Sequence, residues 1–484
     1  MGDGEVVNLE ESQIRSVVQE VVQSFAIENT VPSLSVTLSL GGSAPGDGIF
    51  ESIEDAVDAA SRAQQALEEM TLDDRRGIIA AIREAGMAHA KGFAQNTVEE
   101  TGMGRVPHKI RKFELVTKLT PGVEDLESVA WSGDHGLTVV EMAPFGVAAA
   151  ITPSTHPVPT IVNNAISLIS AGNSVVFNAH PGAKNVSAVG IQIFNRAIVE
   201  AGGPPNLLTA VREPTIQTGQ ALFVHPKINI ILVTGGAGVA RAALQSPKRA
   251  IVAGPGNPPV VVDETADFSK AAQDIITGGG FDNNILCTGE KEIFVVRSVA
   301  EELKRQLLVN RCVELERSQI DALASAAFPR DEKGEWTRNR EFIGRNAHVL
   351  AEHIGLEVPP DTELLIGEVE ADHPFVQYEQ MMPVMPIVRT SDVTQAIDLA
   401  IEAEHGYQHT AVMHSKNVEN MTVMARKCRC TLFIKNGPSP AGLGAGGEGY
   451  TSFSIATPTG EGVTSARTFT RQRRCTLVDY FRII

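Results

Sequence analysis

Positive charge is scarce in this sequence. Its 484 residues carry 41 Lys and Arg against 58 Asp and Glu, a formal net charge of -17 at pH 7. Nucleic-acid binding draws on clustered cations that displace phosphate counterions, so this balance argues against a nucleic-acid partner. Cysteine is sparse as well: there are five, an odd number with no paired metal-type spacing. That argues against a disulfide framework and a metal site, and it implies a reducing, cytoplasmic setting. Cys428 and Cys430, one residue apart, are expected in a strand rather than in a zinc knuckle. Long apolar runs are missing too, since no stretch approaches the roughly 18 charge-poor residues of a membrane span. The N-terminus shows no basic segment followed by an apolar one, so no secretory signal is expected.

What is there reads as an α/β enzyme. Hydrophobic residues make up 43% of the chain and charged residues 20%, with 43 glycines to serve tight turns. The length suits two large domains and smaller pieces. Residues 8–25 place Ile14, Val17, Val18, Val21, Val22 and Phe25 on one stripe at helical spacing, with Asn8 and Glu11 as a cap and its reciprocal partner. An amphipathic helix is expected there. Residues 28–48, rich in Ser, Gly, Pro and Thr, read as a flexible tether. Such a helix packs on its own domain, on another subunit or, in the helix-in-groove mode that fits best, on a partner protein. Its polar face is acidic apart from Arg15, which argues against a membrane surface.

From 49 to 94 the period is helical. Strand-like runs at 137–142, 146–152, 174–178, 207–211 and 228–234 follow, with helices near 161–170 and 186–201. Repeated β then α implies a parallel sheet with crossover helices, and ligands bind at the carboxyl ends of such strands. A second alternating region runs from 260 to 434, with strands at 292–296, 384–389 and 431–434; the charged segment 330–335 within it reads as a solvated turn. The stretch 471–481 is strand-like after a basic cluster and is expected to pair with a sheet elsewhere.

Residues 278–292 set a single thiol, Cys287, in a glycine-flanked polar loop just ahead of the apolar run 293–296, at a loop-to-sheet junction that ligands can reach. A nucleophile suits that setting, and so does a plain cysteine acting as a small hydrophobe. Three strand-end loops in the first α/β region carry small or polar residues. They are 151–157, with Thr152, Pro153, Thr155 and His156; 177–182, with Asn178, His180, Pro181 and Gly182; and 234–240, with Thr234, Gly235, Gly236 and Val239. The last puts glycines at a helix entry, where unpaired N–H groups and the helix dipole favour a pyrophosphate. It lacks the third glycine of G-x-G-x-x-G and fits a tight βα turn equally well.

Together with Gly-Pro-Gly-Asn at 254–257, Glu-Gln-Met-Met-Pro-Val at 379–384, His-Thr-Ala at 409–411 and Asn-Gly-Pro at 436–438, these loops resemble the aldehyde dehydrogenase superfamily. The match runs in the expected order from about residue 50 to the end. It is nearest to the CoA-acylating aldehyde dehydrogenases of the ethanolamine- and propanediol-utilisation type. The resemblance implies a Rossmann-type NAD-binding domain at 49–253, with part of an oligomerisation arm near 122–142. It also implies a second, catalytic α/β domain at 254–435 and a return segment with the rest of a small β arm at 436–484. Ahead of these would stand an encapsulation-type helix at 1–27 and a linker at 28–48.

The resemblance further implies that Cys287 attacks an aldehyde carbon to give a thiohemiacetal, and that hydride transfer to NAD+ leaves a thioester. Hydrolytic relatives carry a glutamate base in Glu-Leu-Gly-Gly, where this chain reads Ala253-Gly254-Pro255-Gly256-Asn257. No carboxylate at that place activates water, so CoA is the expected acceptor. Glu379 matches the carboxylate that holds the nicotinamide ribose hydroxyls. The implied cofactor set is completed by Thr152, Pro153, Asn178, His180, Pro181, Gly182, Thr234, Gly235, Gly236, Val239, Gly254 and Pro383. His409 matches a histidine of acylating relatives that either assists CoA deprotonation or holds a loop.

Two departures stand out. Thr155 occupies the place of the oxyanion asparagine of hydrolytic relatives, and His156 stands where acylating relatives have asparagine. Asn178 replaces a lysine that many NAD(P)-binding relatives place near the adenosine ribose, so NAD is expected over NADP. The glycine-rich 437–447 fits either a lining of the acyl or CoA passage or a plain loop. The implied reaction turns propanal or acetaldehyde into its acyl-CoA, with propanal favoured by association. The implied setting is a homo-oligomer, dimer or tetramer, inside a cytoplasmic bacterial microcompartment whose shell or core proteins hold residues 8–25. The rival readings are a hydrolytic aldehyde dehydrogenase giving the free acid, and a non-catalytic microcompartment scaffold.

Overall fold

A computed structural model describes residues 47–330 and 336–484. The helix read at 8–25, most of the tether at 28–48 and the core of the charged turn at 330–335 lie outside the described residues. Residues 47 and 48, read as the end of the tether, are buried, and Asp47 pairs with Arg196 at 2.9 Å.

β1 (Ile49–Phe50) is a two-residue strand, so the helical period read from 49 begins at residue 53. Helices Ile53–Glu68 and Leu72–Thr101 follow, each started by a hydroxyl, Ser52 or Thr71, that accepts from a backbone N–H three residues on. β2 (Val129–Gly133) and β3 (Gly136–Pro144) form an antiparallel hairpin. β4 (Val147–Thr152), β5 (Ser174–Ala179), β6 (Leu208–Val211), β7 (Ile228–Thr234) and β8 (Arg249–Ala253) then build a parallel sheet in the order β1-β6-β5-β4-β7-β8. The Val, Ile and Ala in these strands reflect helices covering both faces. From β4 the chain winds one way through β5 to β6, beside which β1 lies at the edge, and then the other way through β7 and β8. The crevice beyond the carboxyl end of β4 is therefore the topological switch point where ligands bind.

The second sheet is also parallel. β9 (Pro259–Val262), β10 (Glu292–Val296), β11 (Cys312–Glu314), β12 (Leu364–Glu368), β13 (Val384–Thr390), β14 (Thr410–His414) and β15 (Leu432–Lys435) lie in the order β11-β12-β13-β10-β9-β14-β15. Cys428 and Cys430 miss the expected strand. Cys428 ends helix Val418–Cys428, which Arg429 stops in the left-handed conformation (φ 51°), and Cys430 precedes β15. β16 (Ile455–Ala456) and β17 (Gly462–Val463) make a short hairpin, and β18 (Thr470–Val478) returns to pair with β3, from Thr470 opposite Pro144 to Val478 opposite Gly136. Gly136 (φ 112°) is required at that last step, because a Cβ there would lie 2.0 Å from Leu477 O. No helix among the described residues is long and apolar enough to cross a membrane.

The return segment is pinned to the second sheet by a buried carboxyl. Glu290 accepts from Ser439 N at 2.8 Å and from Ser439 Oγ at 2.6 Å. Gly278 leaves it room, for a Cβ there would sit 1.9 Å from Glu290 Oε2. Burial pushes this carboxyl up to about 7 against the Ser439 hydrogen bonds. A carboxyl raised on folding lends stability below its unfolded value, near 4.5, and withdraws it as pH climbs through the folded one. Between about pH 5 and about pH 8 that withdrawal amounts to about 3 kcal/mol. Glu290→Gln, which keeps the shape of the neutral acid, should flatten this part of a melting-temperature profile. An unchanged slope would remove Glu290 from the titration.

Candidate active site

Helix Phe268–Gly279 ends in glycines, and the chain reverses through Asp282 (φ 51°), Asn283 (φ 56°) and Asn284 (φ 63°). These residue types tolerate the left-handed region, yet three in succession need external support. Side chains supply it. Asp282 accepts from Arg105 N at 2.7 Å and pairs through Oδ2 with Lys109 Nζ at 3.1 Å and Lys112 Nζ at 2.5 Å. Asn283 accepts from Arg105 Nε at 2.6 Å and donates to Gly344 O and Asn346 Oδ1. Asn284 donates to Glu290 O, while the buried Lys291 ammonium donates to Asn284 O at 2.8 Å, to Asn284 Oδ1, and to Leu286 O at 3.0 Å. The next residue is Cys287, half-buried and with a free thiol.

Burial first, and then the Glu379 carboxylate, push the Cys287 thiol up to about 12; Lys291 and Lys112 pull the other way. Burial lowers both of these lysines to about 8, so both remain mainly cationic at neutral pH. Burial opposes ionisation of Asp282, yet Lys112 and Lys109 hold its carboxylate well below the usual range. Glu292, buried with neither carboxyl oxygen hydrogen-bonded, is pushed well up by burial.

His409 is fully buried, with Nδ1 2.8 Å from Thr410 Oγ1 and Nε2 without a protein partner. Burial and Lys291 drive it down to about 4, leaving a neutral ring able to take a proton. Gly256 packs between this ring and the cysteine loop: a Cβ on it would lie 2.6 Å from Cys287 O and 3.0 Å from His409 Cγ. Cys287, His409 and the segment 254–257 are thereby brought together.

Lys109 ties the first sheet to this loop, donating to Thr155 O at 3.1 Å as well as to Asp282. Thr155 itself is buried, and His156, N-cap of helix Pro157–Ser170, sets its ring edge-on to Phe453 with Nδ1 unpartnered. Thr152 and Pro153 leave the end of β4, with Thr152 Oγ1 buried and unpartnered. At the end of β5, Asn178 accepts from Thr218 Oγ1 at 2.6 Å and donates to Thr215 O, and His180 Nδ1 accepts from Gly182 N across Pro181. At the end of β7, Thr234 Oγ1 meets Ser454 Oγ at 2.7 Å, and Gly235 leads to Gly236, which opens helix Ala237–Leu244 with no side-chain cap. Val239 sits in its first turn.

β5, β4 and β7 are neighbours, so these turns share one sheet edge. An uncapped helix start, an unpartnered hydroxyl on Thr152 and a carboxylate at Glu379 fit a dinucleotide. Glu379 stands apart from that edge, before β13 with Pro383, and pairs with Arg338 at 3.5 Å. Gly254 lies past β8, where a Cβ would meet Pro458 at 2.8 Å.

A cavity of about 300 Å³ opens beside Leu286, walled by Leu115, Leu119, Phe281, Phe453 and Lys112. Sequence reasoning passed over Lys109, Lys112, Asp282 and Lys291. The readable signal was a lysine pair at i, i+3 on the same helix face as Phe113 and Val116.

Comparison with known proteins agrees with this geometry. The chain is 53% identical over 439 residues to the acetaldehyde dehydrogenase (acetylating) EutE of Salmonella typhimurium, covering 90% of this chain and 94% of that protein. It superposes with a TM-score of 0.88, at 45% identity, on a propionaldehyde dehydrogenase from the fucose utilisation bacterial microcompartment of Clostridium phytofermentans, covering 90% of this chain and 100% of that one. The propionaldehyde dehydrogenase of Rhodopseudomonas palustris, solved with bound CoA and an acylated cysteine, gives the same TM-score, identity and coverage. The family model for the "Aldehyde dehydrogenase family" matches residues 47–458, which hold every strand of both parallel sheets and the cysteine loop between β9 and β10, and the chain belongs to that family.

Proposed function

We propose that this chain oxidises a short-chain aldehyde to its acyl-CoA, with Cys287 as nucleophile, NAD+ as hydride acceptor and CoA as acyl acceptor. The observation that supports this best is that the segment packed against Cys287 through Gly256 carries no carboxylate to activate water. Hydrolytic relatives carry their glutamate in the matching segment, which here reads Ala253-Gly254-Pro255-Gly256-Asn257. The thioester therefore waits for a thiol rather than for water.

Cys287 adds to the aldehyde carbon while the alkyl group occupies the cavity beside Leu286. Bound NAD+ supplies the hydride acceptor, and the acyl group stays on Cys287 as a thioester. Neutral His409 then takes the CoA thiol proton as that sulfur displaces Cys287. Thr155 stays at the oxyanion side of the loop, and Glu379 holds the nicotinamide ribose once Arg338 yields it.

Acetaldehyde and propanal both suit the cavity. Purified chain given NAD+ and two- to four-carbon aldehydes should form NADH only with CoA, with a thioester as product, and Cys287→Ser should abolish this without loss of fold. CoA-independent NADH would favour the hydrolytic rival, and full activity in the variant would remove Cys287 from the reaction.

Two further assignments belong to the same proposal. The amphipathic segment 8–25 docks the enzyme on shell or core proteins of a bacterial microcompartment. Deleting residues 1–30 should spare activity but end co-purification with those proteins; undiminished co-purification would sink the docking role. The sheet β18-β3-β2 exposes Val129, Trp131, Leu477 and Val478, apolar surface that a second copy would cover to give a dimer or tetramer. Sedimentation should then show no monomer at micromolar concentration, and a monomer would exclude this use of the arm.

A further inference from the structure

We infer that Lys112 is the cation that stabilises the negative charge formed at Cys287, an assignment that deepens the acylation chemistry proposed above and rests on it. Helix Val106–Leu119 turns Lys109 and Lys112 inward beside Phe113 and Val116. Both ammonium groups meet one oxygen, Asp282 Oδ2. Lys109 has a second acceptor in Thr155 O. Lys112 has none: fully buried, its Nζ makes no hydrogen bond beyond the ion pair, and the side chain forms part of the wall of the cavity beside Leu286.

Lys291 is the other buried cation near the thiol, and the geometry separates the two. Its three N–H groups are used on three oxygens of the loop, Asn284 O, Asn284 Oδ1 and Leu286 O. Lys291 therefore shapes the backbone, whereas Lys112 keeps donors to spare.

The charge balance points the same way. Two ammonium groups against one carboxylate leave one positive charge in excess in a buried place, which is unfavourable until an anion joins it. Among the described residues, neither lysine pairs with a second carboxylate. His108 and His156 face this group as neutral rings, each pushed down by burial, and Arg105 is matched to Glu363 at 2.6 Å. As the thiol proton leaves to solvent water, the thiolate supplies the missing charge. The sulfur pair then forms the C–S bond, the C=O π pair moves onto oxygen, and Lys112 donates a hydrogen bond to that oxyanion while keeping its proton. At Thr155, where hydrolytic relatives present a neutral amide, a charge from the neighbouring helix takes over.

Lys112→Met and Lys112→Arg test this at fixed pH, with folding checked by circular dichroism. One readout is the rate at which iodoacetamide alkylates Cys287, followed by mass spectrometry of its peptide; it needs neither NAD+ nor CoA. The other is kcat/KM for aldehyde oxidation. Lys112→Met should slow alkylation about tenfold, the effect of one unit in thiol pKa, and lower kcat/KM about 100-fold. Lys112→Arg should recover most of both. Alkylation at the wild-type rate in folded Lys112→Met overturns the assignment, and if that variant does not fold, Lys112→Gln carries the same test. Wild type that alkylates normally yet forms no acyl-CoA would strike the proposed reaction instead, leaving the alkylation result to decide on Lys112.

Discussion

Asp282 carries two buried ammonium groups on one carboxylate oxygen while its own backbone is held left-handed, and the active site depends on that arrangement. Without the lysines the carboxylate would be an isolated buried charge, and without the carboxylate the lysines would repel each other at close range. The ion pair thus fixes the helix Val106–Leu119 against the turn that presents Cys287. Through Lys109 it also fixes Thr155, so one cluster aligns the edge of the first sheet with the nucleophile from the second.

The strands were largely legible because buried parallel strands read as unbroken runs of β-branched residues. The runs at 228–234 and 292–296 coincide with β7 and β10 to the residue, and 384–389 falls one short of β13. Cys428 and Cys430 show where that signal fails. The helix ends because Arg429 adopts a positive φ, which no periodicity reveals.

The site was legible in its nucleophile and obscure in its electrostatics. Cys287 and the strand-end turns were visible from local composition and family resemblance. Lys112 was not, since a lysine on a helix is usually solvated and only tertiary packing buries this one. Gly256 lies in the segment 253–257 where hydrolytic relatives carry a carboxylate and this chain has none. The structure adds that its lack of a side chain is a steric need, set by Cys287 O and His409 on either side. Glu379 was assigned by pattern alone, and its pairing with Arg338 depends on residues 41 positions apart in sequence coming together (379 − 338).

The segment after β15 has a consequence for synthesis. The first sheet has all its strands by residue 253, yet Asn163 Oδ1 accepts from Ser452 Oγ and Phe453 N, Asn164 Oδ1 accepts from Ser454 Oγ, and Asn173 Nδ2 donates to Phe469 O. Asn163 and Asn173 also bond nearby residues, Thr120, Phe145 and Gly146, but the partners at 452–469 come only after the second sheet has been made. A nascent chain on the ribosome therefore holds the sequence of the whole first sheet while these amide atoms still lack the partners that residues 452–469 bring.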